Sequence, residues 1–120
     1  MSAKKLIESF YNSEALIDEK IMDSYLHPDV VLDWNSSKGF LQLKREGILS
    51  LAAEVHRAYE SSRVVISHIV TEGNTVAVRY SQYVKTIENP RERMLFAHFF
   101  VIWEIVDNKL YRGYQMSQLS

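Results

Sequence analysis

Hydrophobic and polar positions along the chain change their period near its middle. In the first half they repeat as on helices. Leu6, Ile7, Phe10 and Tyr11 fall at the i, i+1, i+4, i+5 spacing of one helical face. Asn12-Ser13 interrupts, and the Ser13 hydroxyl is placed to cap a second helix. There Leu16, Ile17, Ile21, Tyr25 and Leu26 form a stripe, with Asp18, Glu19, Lys20 and Asp23 outside it. His27-Pro28 ends that helix, because the residue before a proline avoids the helical region. Residues 29–34 read as a strand, 35–39 as a turn cluster and 40–43 as a short extended piece. Ile48, Leu51, Ala52, Val55 and Tyr59 then recur at offsets of 3, 4, 7 and 11, predicting a third helix over 44–59.

From residue 64 the period becomes two. Val64, Ile66, His68 and Val70 share one phase, and Val65, Ser67, Ile69 and Thr71 the other. Glu72-Gly73-Asn74 marks a tight turn in which Gly and Asn are suited to positive φ. Further strands are predicted over 75–88, 93–106 and 109–118, joined at Asn89-Pro90-Arg91 and Asp107-Asn108. Short connections between long strands predict an antiparallel meander. Helices first and strands afterwards place the chain in the α+β class, with three N-terminal helices on one face of an antiparallel sheet. One domain spans 1–120, within the usual size of a single domain.

Strand 93–106 is apolar on both faces. Ala97, Phe99, Val101, Trp103 and Ile105 form one; Phe96, His98, Phe100, Ile102 and Val106 form the other, with Glu104 the exception. A sheet with one wet face alternates apolar with polar, so a second cover is expected here. Three helices cover one face only. The expected cover for the other is a second copy of the chain, giving a homodimer through the outer sheet face.

Composition narrows the chemistry. The chain has no cysteine, which excludes a disulfide framework, a thiol nucleophile and a thiolate metal site. Lys and Arg total 14 against 15 Asp and Glu. A chain so nearly neutral has no field to hold a phosphate backbone, and nucleic acid is not an expected partner. No window approaches the ~20 apolar residues of a membrane span, and the opening segment lacks the continuous apolar core of a signal peptide. A cytoplasmic location is the expectation.

The residues also carry a resemblance. The strand Val30-Val31-Leu32-Asp33-Trp34, the helix near residue 50 and the hairpin opened by Glu72-Gly73-Asn74-Thr75-Val76-Ala77-Val78-Arg79-Tyr80 resemble the nuclear transport factor 2-like superfamily. The closing Trp103-Glu104-Ile105-Val106-Asp107-Asn108-Lys109-Leu110 is similar to the last hairpin of its SnoaL-like branch. The resemblance implies a strongly curved, cone-shaped sheet with a small-molecule pocket under the helices. Its members include isomerases, cyclases, dehydratases and proteins that catalyse nothing, so fold alone does not give function. The ketosteroid isomerase pattern does not carry over: its oxyanion tyrosine falls on Phe10, its general base on Trp34 with Asp33 one place off, and its protonated acid near Val101. None of Phe, Trp and Val supplies an oxyanion donor or a base.

Phase along the strands gives the candidate site residues. His68 shares the phase of Val64, Ile66 and Val70 and is expected inward, where it is the candidate acid/base group; a core histidine is the alternative. Tyr80 and Gln82 continue the inward phase of Val76 and Val78 and offer hydroxyl and amide contacts. Phe10, Trp34, Tyr59 and Trp103 are the aromatic candidates for the pocket wall. For strand 109–118, the resemblance favours the phase of Tyr111, Gly113 and Gln115, whereas apolar content favours that of Leu110, Arg112, Tyr114 and Met116. Tyr114 and Gln115 are therefore both candidates. No metal ligand set and no cofactor motif is expected: His98 and Glu104 share a face but lie ~20 Å apart along a strand, and no His-x-x-x-His or glycine-rich phosphate loop occurs. The first reading is a binder of a small apolar or aromatic molecule. The others are a lyase, isomerase or cyclase using His68, and a dimerisation scaffold without a ligand. A cavity of ~300 Å³ or more reaching His68 is the feature that favours a ligand.

Overall fold

The computed structural model describes residues 2–119. Helix α1 (Ala3–Tyr11) is capped by Ser2, whose Oγ accepts the Lys5 N–H at 3.2 Å. Ser13 does not open a second long helix. Its hydroxyl donates to the Phe10 carbonyl at 2.6 Å and accepts the Ala15 N–H, leading into a single 3₁₀ turn over Ala15–Ile17. The stripe predicted as one helix is divided at Asp18. The Asp18 carboxylate accepts the N–H groups of Lys20 and Ile21 and starts α2 (Glu19–Tyr25) afresh. The chain then passes directly into β1 (Leu26–Ser36), so Pro28 sits within a strand, at a register shift between Leu26 and Val31.

Strand β2 (Gly39–Lys44) hairpins back on β1, and α3 (Arg45–Ala58) crosses to β3 (Tyr59–Glu72). Strands β4 (Thr75–Thr86), β5 (Met94–Val106) and β6 (Lys109–Leu119) complete one sheet in the order β2-β1-β6-β5-β4-β3. The meander β3–β6 is antiparallel, but β1 joins β6 in parallel, which makes the sheet mixed where a wholly antiparallel one is expected from the hairpins. At the β3–β4 hairpin only Gly73 takes a positive φ (59°), whereas Asp107 and Asn108 both do (55° and 57°) and close the β5–β6 hairpin in two residues. The helices lie on one face of the sheet. Ile7 and Phe10 of α1 and Ile48 and Ala52 of α3 are buried in one core with Val76, Val78, Val101 and Leu110.

Strict alternation holds only between β-bulges. On β3 Ile66 pairs with Tyr80 and His68 with Arg79, leaving Ser67 unpaired. The extra residue inverts the phase, so Ile69 turns toward the core while His68 and Val70 face solvent. On β5 a shift between Gln82↔Ala97 and Tyr83↔Leu95 leaves Phe96 unpaired and packed against the core instead of the outer face. On β6 Tyr111 is the extra residue, so Leu110 on one side of it and Gly113 and Gln115 on the other are all buried. Each of the two competing phases of β6 is thus right on its own side of the bulge.

Candidate functional site

The inner face of the sheet, α1 and α3 enclose a cavity of about 130 Å³ that His68 does not line, so the cavity of ~300 Å³ reaching His68 set out as the mark of a ligand site is not what forms. Six of the predicted residues reach it: Phe10, Trp34, Tyr80, Gln82, Trp103 and Gln115. Three do not. Tyr59 stands behind the wall, edge-on to Phe96 at 5.5 Å. Tyr114 lies on the outer face, 47 % exposed, with its hydroxyl donating to Glu104 Oε2 at 3.2 Å. Desolvation first and then the Glu104 carboxylate raise its pKa. His68 is exposed on the outer face, its Nδ1 3.0 Å from Ser67 Oγ. The bulge at Ser67 puts it there, and the inward acid/base position expected from phase is overturned.

The polar atoms of the cavity meet at Tyr11. Trp103 Nε1 donates to Tyr11 Oη at 2.9 Å, linking α1 to β5. The Tyr80 ring lies 4.5 Å from that of Tyr11 and stacks on Phe99 at 4.8 Å and 12°. Burial raises the pKa of Tyr11, a rise that the Trp103 hydrogen bond and the neighbouring Tyr80 hydroxyl partly oppose. Burial also raises Tyr80 well above the ordinary range, and its contact with Tyr11 adds to the rise. The Tyr11 oxygen accepts from Trp103, and both phenols remain neutral at ordinary pH.

The rest of the lining is anchored from outside. Trp34 Nε1 donates to Ser117 Oγ at 2.8 Å and Gln82 Nε2 to Ser62 Oγ at 2.9 Å. Gly113 seats Trp103: a Cβ there would lie 2.6 Å from the indole ring and 2.8 Å from Leu32 Cδ1. No Asp, Glu, His or Lys lines the cavity among the described residues. The arrangement can therefore donate and accept hydrogen bonds, but its lining holds no carboxylate or imidazole to remove a proton. Asp33 lies on β1 with Gln42 Nε2 donating to its Oδ1 at 2.9 Å, and it is absent from the cavity lining. Tyr11, which the sequence marks only as one residue of the α1 stripe, is the polar centre.

The comparisons agree with this architecture. A family model described as a SnoaL-like domain matches residues 7–113. No curated protein of matching sequence was found. Among solved structures, IdmH, a candidate polyketide cyclase from Streptomyces antibioticus, is 18 % identical, with a TM-score of 0.75 over 98 % of this chain and 92 % of that one. An epoxide hydrolase from M. tuberculosis, described as LEH-like, is 19 % identical with a TM-score of 0.68, covering 96 % of this chain and 81 % of its own. TerC, co-crystallised with polyporic acid, is 21 % identical with a TM-score of 0.66, covering 94 % and 88 %. At these identities the likeness is one of fold. No described helix is long and apolar enough to cross a membrane. The match across residues 7–113, on a curled α+β sheet roofed by three helices, makes this chain a member of the SnoaL-like family.

Proposed function

We propose that the chain binds a compact, single-ring apolar or aromatic molecule that carries one hydrogen-bond acceptor, such as a carbonyl, and that the Tyr11 hydroxyl holds that acceptor. The observation that carries this reading is the Trp103 Nε1 donation to Tyr11 Oη at 2.9 Å, at the wall of a cavity lined almost wholly by apolar side chains. Trp103 takes an acceptor site of the Tyr11 oxygen and not its proton, so that proton can donate to a guest, and the donation received makes Tyr11 a stronger donor. The volume sets the size. A dry apolar cavity of ~150 Å³ admits benzene, and this one is about 130 Å³, below the ~300 Å³ of a typical drug-sized site. A neighbour in fold crystallised with polyporic acid is consistent with small organic guests in this fold.

Ligand-detected NMR and thermal shift with benzaldehyde and toluene test the reading. Both compounds are expected to raise Tm, benzaldehyde more. In Tyr11→Phe the advantage of benzaldehyde over toluene is expected to vanish, a loss of roughly 5–10-fold in relative affinity for one hydrogen bond. If neither compound shifts Tm at millimolar concentration, the pocket reading fails and a scaffold domain replaces it. If the benzaldehyde preference survives in Tyr11→Phe, another group holds the acceptor.

A further inference from the structure

Two buried amides line the cavity, and they differ in what they hold. Gln82 is 5 % exposed, and its Nε2 donates to Ser62 Oγ at 2.9 Å. Gln115 is 8 % exposed, and its carboxamide bonds to no other side chain or backbone group among the described residues. Neither of its polar atoms is sealed into the core, because every sealed side-chain N or O there has a partner. The sheet aims this amide. Tyr114 and Met116 on either side of it are exposed on the outer face, so Gln115 points inward, where it lines the cavity. It pairs with Trp34 on β1 and Val101 on β5, and it stands one inward position, ~7 Å, beyond Gly113, the seat of Trp103. Trp34 cannot serve it, since the indole N–H is engaged by Ser117. Nor can Gln82, which pairs with Ala97, four residues or ~13 Å along β5 from Val101.

An amide held in an apolar wall without a partner weakens the free fold, and a guest that bonds to it recovers the loss. We propose that Gln115 is a second polar contact for the guest, which carries, besides the acceptor held by Tyr11, a neutral hydroxyl that meets the Gln115 carboxamide. This contact depends on the cavity being a ligand site, as proposed above, but not on Tyr11. A hydroxyl fits because it donates to Oε1 or accepts from Nε2, whichever way the carboxamide is turned. Neutrality follows from the lining, which holds no charged side chain among the described residues. A carboxylate or ammonium would give up its hydration there with no counter-charge to replace it. The class of guest thus narrows from small aromatics to small hydroxylated aryl aldehydes and ketones.

Ligand-detected NMR titrations of the full chain with toluene, 3-methylphenol, 4-methylphenol and benzaldehyde test this contact. The better of the two methylphenols is expected to bind roughly 5–10-fold tighter than toluene, the worth of one hydrogen bond. Gln115→Met keeps the length of the side chain and removes the amide. In that variant the hydroxyl preference is expected to vanish while benzaldehyde keeps its advantage over toluene; in Tyr11→Phe the reverse is expected. The free Gln115→Met protein is also expected to melt roughly 5 °C higher, because a buried unpaired amide is gone. Should it fold poorly, Gln115→Leu takes its place. No hydroxyl preference in wild type, or one that survives the loss of the Gln115 amide, overturns the proposal; a Tyr11-dependent advantage of benzaldehyde would then leave the Tyr11 reading standing. A Gln115-dependent hydroxyl preference with no advantage for benzaldehyde overturns the Tyr11 reading instead. Binding of none of the four compounds at millimolar concentration overturns both. A fall in the melting point of both free variants also overturns the proposal, by showing the amide to be bonded within the chain.

Discussion

At the scale of residues, the cavity's chemistry rests on two buried phenols, and their ionisation ties it to stability. Tyr11 and Tyr80 are held protonated in the folded chain beyond the ordinary value of 10.0, with burial the largest cause for both. In the unfolded chain both would titrate near that ordinary value. Above it, the unfolded state sheds protons that the folded state keeps. Their contribution to stability is therefore fully present below pH 10 and is lost as pH rises past it, by about 1.4 kcal/mol per pH unit for each tyrosine. Urea midpoints are expected to stay level from about pH 7 to 9 and to fall steeply above 10, with a shallower fall in Tyr80→Phe. A level midpoint up to pH 12 would mean that neither phenol is desolvated. Sequence could not single out Tyr11. Phe10 and Tyr11 are adjacent in the same apolar stripe, and the partner that gives Tyr11 its role, Trp103, lies 92 residues away.

At the scale of elements, the bounds of α3 and β5 were legible, while β3 starts at Tyr59 and not at residue 64, and the phases beyond each bulge were not legible. Strand 93–106 and the helix over 44–59 match β5 and α3 to within a residue, because apolar periodicity and turn residues act locally. A bulge leaves no such local mark. Ser67, Phe96 and Tyr111 are ordinary strand residues, yet each shifts the register by one and exchanges the faces of the residues beyond it. His68 was misplaced for that reason, and Gln115 could not be separated from Tyr114. Asp18, read as part of the polar face of one helix, in fact starts a new one. The bulges predict an asymmetry in tolerance. Deleting Ser67 removes the unpaired residue and leaves Ile66↔Tyr80 and His68↔Arg79 as neighbours in a regular ladder. Its expected cost is about 1 kcal/mol, chiefly the lost contact with Arg79. Deleting Val64 inverts the face of every residue on one side of it and is expected to prevent folding. Urea denaturation of the two variants checks this, and equal damage from both would deny the bulge.

At the scale of the whole molecule, this fold supports a candidate cyclase and an epoxide hydrolase on similar backbones, so the contents of the cone decide function. A cavity kept open inside a packed core costs stability, because its lining forgoes dispersion contacts. If this one serves a guest, filling it should improve the fold and remove the function together. Ala52, buried on α3 and facing the cavity, is the place to try this. Ala52→Leu adds three carbons, roughly 0.8 kcal/mol each when buried without strain, less about 1 kcal/mol for overpacking. A net gain near 1 kcal/mol is expected, and with it loss of the Tm shift produced by benzaldehyde. Thermal melts of both proteins, with and without that compound, read the two effects in one experiment. A stabilised variant that still responds to benzaldehyde would place the guest outside this cavity, whereas a destabilised one would show that the space is needed by the side chains already around it.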